Sequence, residues 1–589
     1  MTLLKEYSPV LLGFFVYFVN SCVGLSQYFQ SGLILPLGIV TYIVQHKLKT
    51  SQPTHYRYED SGLWCVLLML AISYAVEHEG NVLIRLVTPV TLLVYVNTNL
   101  PYTEWKTSQY SVGVLLFIHG VTTSRIFYRD IFSMLLVFLC CAIFIHLLHK
   151  LPLVFKKCFT YGEICVLLQL YVCEIYVVLL YTVGLLRMNA IEKVSVVIFI
   201  GVHVAIMCFY MLSRYDISPL YQWLVMCSIG IFYIITSLIV NFNTEEILNL
   251  LQLVILAPTS IFLVIWWILW VVSSLLLVGY YGNTTFSTYS KNKKRLKSGH
   301  KSVYDKTSTT NNSDNDIVES NDDRLYQQIS NSCENKDNDD DDDNDSNNIY
   351  CDKSDGSQYF SQKSDFSQFP SMKSDCSQFS SHRSETFMLL RKYFHLAILC
   401  VYVPGLIFAP TLLYIASTVA AAVLILAEAI RYMKIEPVGS ILNDYLNVFL
   451  DEQDEGDLIL TPIYLILGCS LPLWWNIKII YTQCTFTIYS GLISVGVGDA
   501  MASYIGRKYG KHKWPGSKKS VEGTLAAFIA QLLAVTILQC FGISGAIVTM
   551  ETVLCILLIS LLEAFTLQID NLIIPIYSWM LFTSLQPTF

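Results

Sequence analysis

ILNLLQLVILAPTSIFLVIWWILWVVSSLLLVGY, residues Ile247–Tyr280, decides the fold class of this chain. It carries no Asp, Glu, Lys, Arg or His. As one α-helix it would be about 50 Å long at 1.5 Å per residue. The hydrocarbon core of a bilayer is about 30 Å thick, so a single untilted helix would overshoot it. Proline lacks a backbone N–H and clashes with the preceding turn, so the run is predicted to divide into two segments at Pro258.

Similar runs recur along nearly the whole chain. Of 589 residues, 54% are hydrophobic and only 14% charged. The mean hydropathy of +0.51 lies well above soluble usage. Counting that stretch at Leu248, runs begin near Val10, Leu33, Leu63, Val82, Val112, Ile131, Ile164, Val194, Leu220 and Leu248, and then near Leu389, Leu412, Leu458, Ile477, Thr524, Ile543 and Leu572. The chain is therefore predicted to be an all-α, polytopic integral membrane protein with about 15–17 transmembrane helices. The first run has neither a strongly basic leader nor a small-residue cleavage site, so it reads as a retained helix. The 17 cysteines are scattered through apolar runs with no CxxC pair, and the 11 histidines are equally dispersed. Neither set suggests a disulfide framework or a zinc site; buried small hydrophobes in membrane helices is the plainer reading.

A polar interruption divides the chain into an N-terminal helix array (1–289), an insertion (290–385) and a C-terminal membrane domain (386–589). The insertion is rich in Asn, Asp and Ser and contains DNDDDDDNDSNN. It then repeats a ten-residue unit beginning at Lys353, Lys363 and Lys373. Such a composition buries too little apolar surface to fold, so a disordered linker is expected. Deleting 311–380 should leave turnover largely intact; loss of turnover at normal protein level would contradict the passive-linker reading. The cluster KNKKRLK (Lys291–Lys297) flanks a membrane exit, which puts the insertion in the cytosol by the positive-inside rule. Counting two spans at a time then returns the acidic loop DYLNVFLDEQDEGD and Asp499 to that same face. The sequon at Asn283 lies near the same exit and is expected to be unused.

The second informative stretch is GVGDAMASYIGRKYGKHKWPGSKKSVEGT, Gly496–Thr524. Six cations and six glycines stand with only two acids, Asp499 and Glu522, between membrane-spanning segments. Gly496 and Gly498 would let backbone N–H groups approach phosphate oxygens. Asp499 suits a divalent cation, directly or through water. Lys518 and Lys519 follow the turn-forming Trp514-Pro515-Gly516 and would neutralise a transferring phosphoryl group. Small residues at Ala500, Ala502, Ser503 and Gly506 read as a helix packed closely on another backbone. The alternative, a basic loop serving only topology or headgroup contact, needs none of this chemistry.

The block from Gly498 to Thr524 resembles the nucleotide-binding signature of the CTP-dependent polyprenol kinase family, in its dolichol-phosphorylating branch. RKYFHL (Arg391–Leu396), FLDEQDEGDLILTPIYLILGCSLPLW (Phe449–Trp474) and LLEAFTLQIDNLIIP (Leu561–Pro575) resemble it too, in the expected order. The resemblance covers roughly the last 200 residues, while the N-terminal half matches only as a long array of spans. It implies phosphoryl transfer from CTP, with a divalent cation such as Mg2+, to the terminal hydroxyl of dolichol on the cytosolic face of the endoplasmic reticulum, without nucleic acid. It places the nucleotide at Gly496, Gly498, Asp499, Ser503, Gly506, Gly510, Pro515, Gly516, Lys518, Lys519, Glu522, Gly523 and Thr524. Asp499, Lys518, Lys519, Arg391 and Lys392 are the candidate catalytic residues, and Asp499, Asp451 and Asp457 the candidate metal ligands. Alternatives remain at several positions. Arg391 and Lys392 either touch phosphates or anchor the interface. Glu428 is either functional or paired with Arg431 at i+3. Asp451, Glu452 and Asp457 either bind metal, act as base, or form a solvated loop. Span counting puts Asp570 and Asn571 on the luminal side, which leaves them in a re-entrant segment or in a structural role.

Two other classes share some of these features. A diacylglycerol kinase or phosphatidate cytidylyltransferase would also use CTP at a Gly-, Asp- and Lys-rich loop. A transporter would show paired hydropathy repeats and several mid-membrane charges, and neither is apparent.

Overall fold

The computed structural model describes residues 9–15, 38, 56, 62–75, 84–98, 129–215, 217–277, 393–446, 456–475, 486–543 and 546–585. The insertion 290–385, the cluster Lys291–Lys297, Asn283, Arg391, Lys392, Asp451 and Glu452 lie outside them. Among the described residues the chain is helical throughout, with no strand and one isolated β-bridge, Lys513 to Ser520.

Before the insertion come α1 (Val66–Ala75), α2 (Ile84–Thr98), α3 (Arg129–Val154), α4 (Tyr161–Thr182), α5 (Ala190–Leu212), α6 (Pro219–Asn241), α7 (Thr244–Leu251) and α8 (Pro258–Leu277). After it come α9 (Tyr393–Phe408), α10 (Pro410–Tyr432), α11 (Val438–Leu446), α12 (Thr461–Trp475), α13 (Ala500–Tyr509), α14 (Val521–Cys540), α15 (Met550–Phe565) and α16 (Asp570–Ser584). Seven helices among the described residues are long and apolar enough to cross a membrane. The opening run divides as its proline dictates: α7 ends in a π-helical turn at Gln252–Leu256, Ala257 is extended, and α8 starts at Pro258. Three starts carry full capping boxes that satisfy otherwise orphaned N–H groups: Thr160 with Glu163, Asn189 with Glu192, and Asn243 with Glu246.

Burial separates helices that face protein from helices that face lipid. Half of the apolar window of α4 is buried, against 6% for α6. Phe232, Ile239 and Val240 of α6 are each more than 70% exposed, as expected for side chains meeting acyl chains. The core is continuous across the two halves of the sequence: Trp64, Phe144 and Tyr176 belong to the same buried cluster as Tyr464, Phe486 and Trp579. Polar bonds also cross it. Trp266 and Trp267 Nε1 donate to the carbonyls of Cys400 and Val401 at 2.8 and 3.0 Å. Ser195 donates to the Tyr414 hydroxyl at 2.7 Å. The small-residue face of α10 is used for packing, where Ser417 accepts from Trp474 Nε1 at 2.9 Å and Ala421 is buried.

Candidate active site

The basic stretch folds into a small hairpin that feeds α14. Pro515 and Gly516 occupy the corner of a turn closed by Ser517 N–H donating to the Trp514 carbonyl at 3.0 Å. Gly516 has φ +76°, which a β-carbon would strain, and proline at the preceding position pre-sets the turn. Trp514 N–H donates to the Lys519 carbonyl and Val521 N–H to the His512 carbonyl. Glu522 closes the open end, accepting from His512 Nδ1 at 2.6 Å and from its backbone N–H. Ser520 caps α14 by accepting from Gly523 N–H, and Trp514 Nε1 donates to Thr524.

Side chains alternate along the returning arm. Ser517 and Lys519 point inward: Ser517 donates to the Ala564 carbonyl at 2.9 Å, and Lys519 Nζ reaches both the carbonyl and the carboxylate of Glu563 at the end of α15. Lys518, between them, is exposed. The sequence treats the two lysines alike, whereas the structure separates them. Trp514 packs edge-on against Phe565, ring centroids 5.1 Å apart, and completes the docking of the hairpin on the end of α15.

Sequence reading makes Gly496–Asp499 part of a loop; in the structure it is helical. Residues 490–509 form one continuous helix whose segment Leu492–Asp499 is π-helical. A wider helical turn of this kind is uncommon and concentrates at functional sites. A β-carbon on Gly496 would lie 2.8 Å from Leu399, and one on Gly498 2.7 Å from Gln531. The room these glycines create is therefore filled by helix packing. The same holds at the α13–α14 crossing, where a β-carbon on Gly523 would lie 2.8 Å from the Ala502 carbonyl and 3.1 Å from Gly506. The expectation of a small-residue helix face packed on another backbone is met there. Gly510 abuts Gly506 and Ser520, and Ser503 donates to the Ala500 carbonyl of its own helix.

The end of the π-helical segment delivers Asp499, 7% exposed, into a charged cluster. His395 of α9 places Nε2 3.3 Å from Asp499 Oδ2, and both side chains are buried. Lys519 and Glu563 form an ion pair beside them. Asp570, the first residue of α16, is also buried and acts on the same ammonium. Burial opposes the charge of Lys519, but the carboxylates of Glu563, Asp570 and Asp499 outweigh it and raise its pKa above the ordinary lysine value. Counted by formal charge, one ammonium among three carboxylates leaves an excess of two negative charges. That excess suits a divalent cation. No group of three or more His, Cys, Asp or Glu among the described residues is arranged to hold an ion alone. Magnesium ordinarily takes only one or two carboxylates and completes its shell with phosphate oxygens and water, so the cluster fits a nucleotide-borne ion.

This geometry corrects the sidedness assigned to Asp570 and Asn571. α14 leaves the hairpin and α15 returns to it, as the Ser517–Ala564 and Lys519–Glu563 bonds require. The turn at 566–569 therefore lies at the site's end of the bundle. Asp570 and Asn571 thus lie on the same side of the bundle as Asp499, not the opposite one.

Glu428 is paired with Arg431, as its i+3 spacing allows. It accepts two bonds from Arg431, 2.8 Å from Nε and 2.6 Å from an Nη, and a third from Ile459 N–H. Arg431 also donates to the Asp457 carbonyl at 2.6 Å, while the Asp457 side chain is exposed. Asp457 is thus engaged through its backbone in pinning the acidic loop to the end of α10. Glu428→Ala would strand the Arg431 guanidinium and should cost about 3 kcal/mol. The expected result is a lower melting temperature and less inserted protein; unchanged thermal stability of the solubilised chain would contradict it.

Arg391, Lys392 and Asp451 cannot be placed, being outside the described residues. His395, Glu563 and Asp570 join the site without having been chosen from the sequence. The available signal was their polarity: each is ionisable and sits in or beside an apolar helix.

A family model for dolichol kinase matches residues 366–474, a stretch that contains His395, Glu428 and Arg431 and ends before Asp499. The human dolichol kinase is 43% identical over 208 residues, covering 32% of this chain and 36% of that protein. Dolichol kinase EVAN of Arabidopsis thaliana is 36% identical over 204 residues, covering 33% and 35%. The Saccharomyces cerevisiae dolichol kinase is 31% identical over 191 residues, covering 32% and 35%. The matched stretch therefore spans about a third of the length of these relatives. No solved structure matches. Over about a third of its length, this helical membrane chain is similar in sequence to the dolichol kinases.

Proposed function

We propose that the chain is a dolichol kinase that transfers the γ-phosphate of CTP to the terminal hydroxyl of dolichol at the cytosolic face of the endoplasmic reticulum membrane. The observation that carries this reading is the convergence of Asp499, His395, Lys519, Glu563 and Asp570 beside a basic hairpin, at one end of a bundle of apolar helices. The similarity to dolichol kinases supplies the acceptor, and the resemblance of Gly498–Thr524 to the polyprenol kinase signature supplies CTP. The site's end of the bundle carries the lysine-rich hairpin and the start of α9, which directly follows the insertion. Both support the cytosolic assignment.

Phosphoryl transfer asks mainly for positioning and charge compensation. The dolichol oxygen forms a bond to the γ-phosphorus as the bond from that phosphorus to the β,γ-bridging oxygen breaks, CDP departs, and the hydroxyl proton passes to a carboxylate of the cluster. Asp499 and Asp570 would hold the metal, which would screen the nucleotide's phosphates. Lys519, fixed by Glu563, compensates charge on the transferring group, and exposed Lys518 meets the phosphates from solvent. His395 sets the orientation of Asp499. Asp499 and Asp570 are the ligands this cluster offers; Asp457 meets Arg431 through its backbone carbonyl, and its side chain is exposed.

The test uses microsomes from cells expressing the full chain, supplied with γ-labelled CTP. Dolichyl phosphate should be labelled well above untransfected controls. EDTA should abolish the signal and added Mg2+ restore it. Label incorporation that survives complete chelation would reject the metal-assisted reading. Lys518→Ala is expected to raise KM for CTP about tenfold. An unchanged KM would remove Lys518 from the site.

A further inference from the structure

Among the described residues, the N-terminal array meets the turn that leads to Asp570 at the start of α4. Glu163, in the first turn of α4, is fully buried. Its two carboxylate oxygens serve two different helices. One accepts from Thr160 N–H at 3.0 Å, closing the cap of α4 itself. The other accepts from Ile569 N–H at 2.8 Å, from a residue more than four hundred positions away. Ile569 immediately precedes Asp570 and caps α16. Beside it, Thr160 Oγ1 donates to Gln568 Oε1 at 2.5 Å.

The junction is tightly built on both sides. Gly62, at φ +57°, leaves space that Gln568 fills, since a β-carbon there would lie 2.5 Å from its Oε1. Gly162 abuts the Gly62 backbone, and neither position has room for a side chain. A little further along the same connection, Phe155 stacks edge-on with Tyr432 at 5.3 Å, and Gly456 of the acidic loop lies against Cys158. The α3–α4 connection thus touches the end of α10, the acidic loop and the α15–α16 turn.

Only that turn carries a residue of the charged cluster. Asp570 Oδ1 accepts from Asn571 N–H at 2.9 Å, so its carboxylate is tied to the first turn of α16 and moves with it. On the other side of the turn, Lys519 holds Glu563. The short segment between Glu563 and Asp570 is therefore held at one end by the basic hairpin and at the other by Glu163.

We propose that Glu163 is a positioning residue that sets Asp570 against Asp499 and Lys519, and that the N-terminal array is by this contact part of the active centre. The proposal rests on the phosphoryl-transfer reading of the cluster. Loss of one charge-assisted bond at Ile569 lets the start of α16 shift, and misplacement of a reacting group by about 1 Å can cost about 100-fold in rate.

The test is a double-mutant cycle in the purified full chain: wild type, Glu163→Gln, Asp570→Asn and the double variant. Two readouts are followed, phosphate transfer from CTP to dolichol and amide hydrogen exchange of the peptide containing Ile569. Glu163→Gln should lower kcat about 10- to 100-fold with KM for CTP within about threefold, and should speed exchange at Ile569. If Glu163 works through Asp570, the double variant is no slower than Asp570→Asn alone. Multiplying effects, or an unchanged kcat, would overturn the positioning role. Where Glu163→Gln fails to accumulate, Gln568→Ala removes the neighbouring bond of the same junction and enters the cycle in its place, with the same outcomes decisive. A wild-type chain that transfers no phosphate to dolichol sinks the functional reading instead. Exchange at Ile569 then still decides whether the junction itself exists.

Discussion

Asp499→Asn should reduce CTP-dependent phosphorylation of dolichol by about 1000-fold or more, with protein inserted at wild-type levels. The substitution is nearly isosteric, so the packing of Gly498 on Gln531 and the π-helical segment should survive. What changes is the charge. The cluster's formal excess of two negative charges falls to one, and the carboxylate 3.3 Å from His395 Nε2 becomes a neutral amide. An amide binds a divalent cation far less strongly than a carboxylate, and the remaining carboxylates are partly committed, Glu563 to Lys519. Initial rates of label transfer in membranes matched by immunoblot provide the check. Near-normal turnover would remove Asp499 from the centre of the mechanism.

Lys519→Ala should be the most damaging of the basic substitutions, for two separable reasons. It removes the cation buried in the carboxylate cluster, and it leaves Glu563, 5% exposed, without its partner and facing other carboxylates. Removing one member of a buried pair costs about 3–5 kcal/mol; the 36% exposure of the Lys519 side chain places this case at the lower end, about 3 kcal/mol. The melting temperature of the solubilised chain should fall together with turnover. The double variant Lys519→Ala/Glu563→Gln neutralises the stranded charge, so it should recover most of the stability and none of the activity. Recovery of both would make Lys519 a structural residue alone. Within the working pH range the pair does not titrate at the lysine: its pKa is raised, so the charge is present below the ordinary lysine value and is lost only as pH rises beyond it.

Much of this architecture is legible in the sequence because a membrane enforces simple rules. The break at Pro258 follows from proline's missing N–H, and the helical class follows from apolar runs that must satisfy their own backbone. The turn at Pro515-Gly516 is equally local. The chemistry of Gly496 and Gly498 is less legible, because glycine serves a phosphate cradle and a close helix contact equally well. Only the neighbours, Leu399 and Gln531, distinguish them. Lys518 and Lys519 are adjacent and identical in type; which one turns inward depends on where α15 ends. Glu428 and Arg431 show i,i+3 spacing, so their pairing is readable, but the third partner at Ile459 is not. Glu163 carries a visible capping signature in Thr-x-x-Glu, which explains one of its oxygens. The other oxygen's partner, Ile569, is set by tertiary packing between halves separated by a long insertion, and no local pattern encodes it.

The most direct test of the central claim is the stoichiometry of transfer by the purified full chain, with CTP labelled at the γ-phosphate and with dolichol and diacylglycerol offered as competing acceptors. The account predicts label in dolichyl phosphate with one CDP released for each phosphate transferred. Release of pyrophosphate, or label in the diacylglycerol product with dolichol untouched, would contradict it.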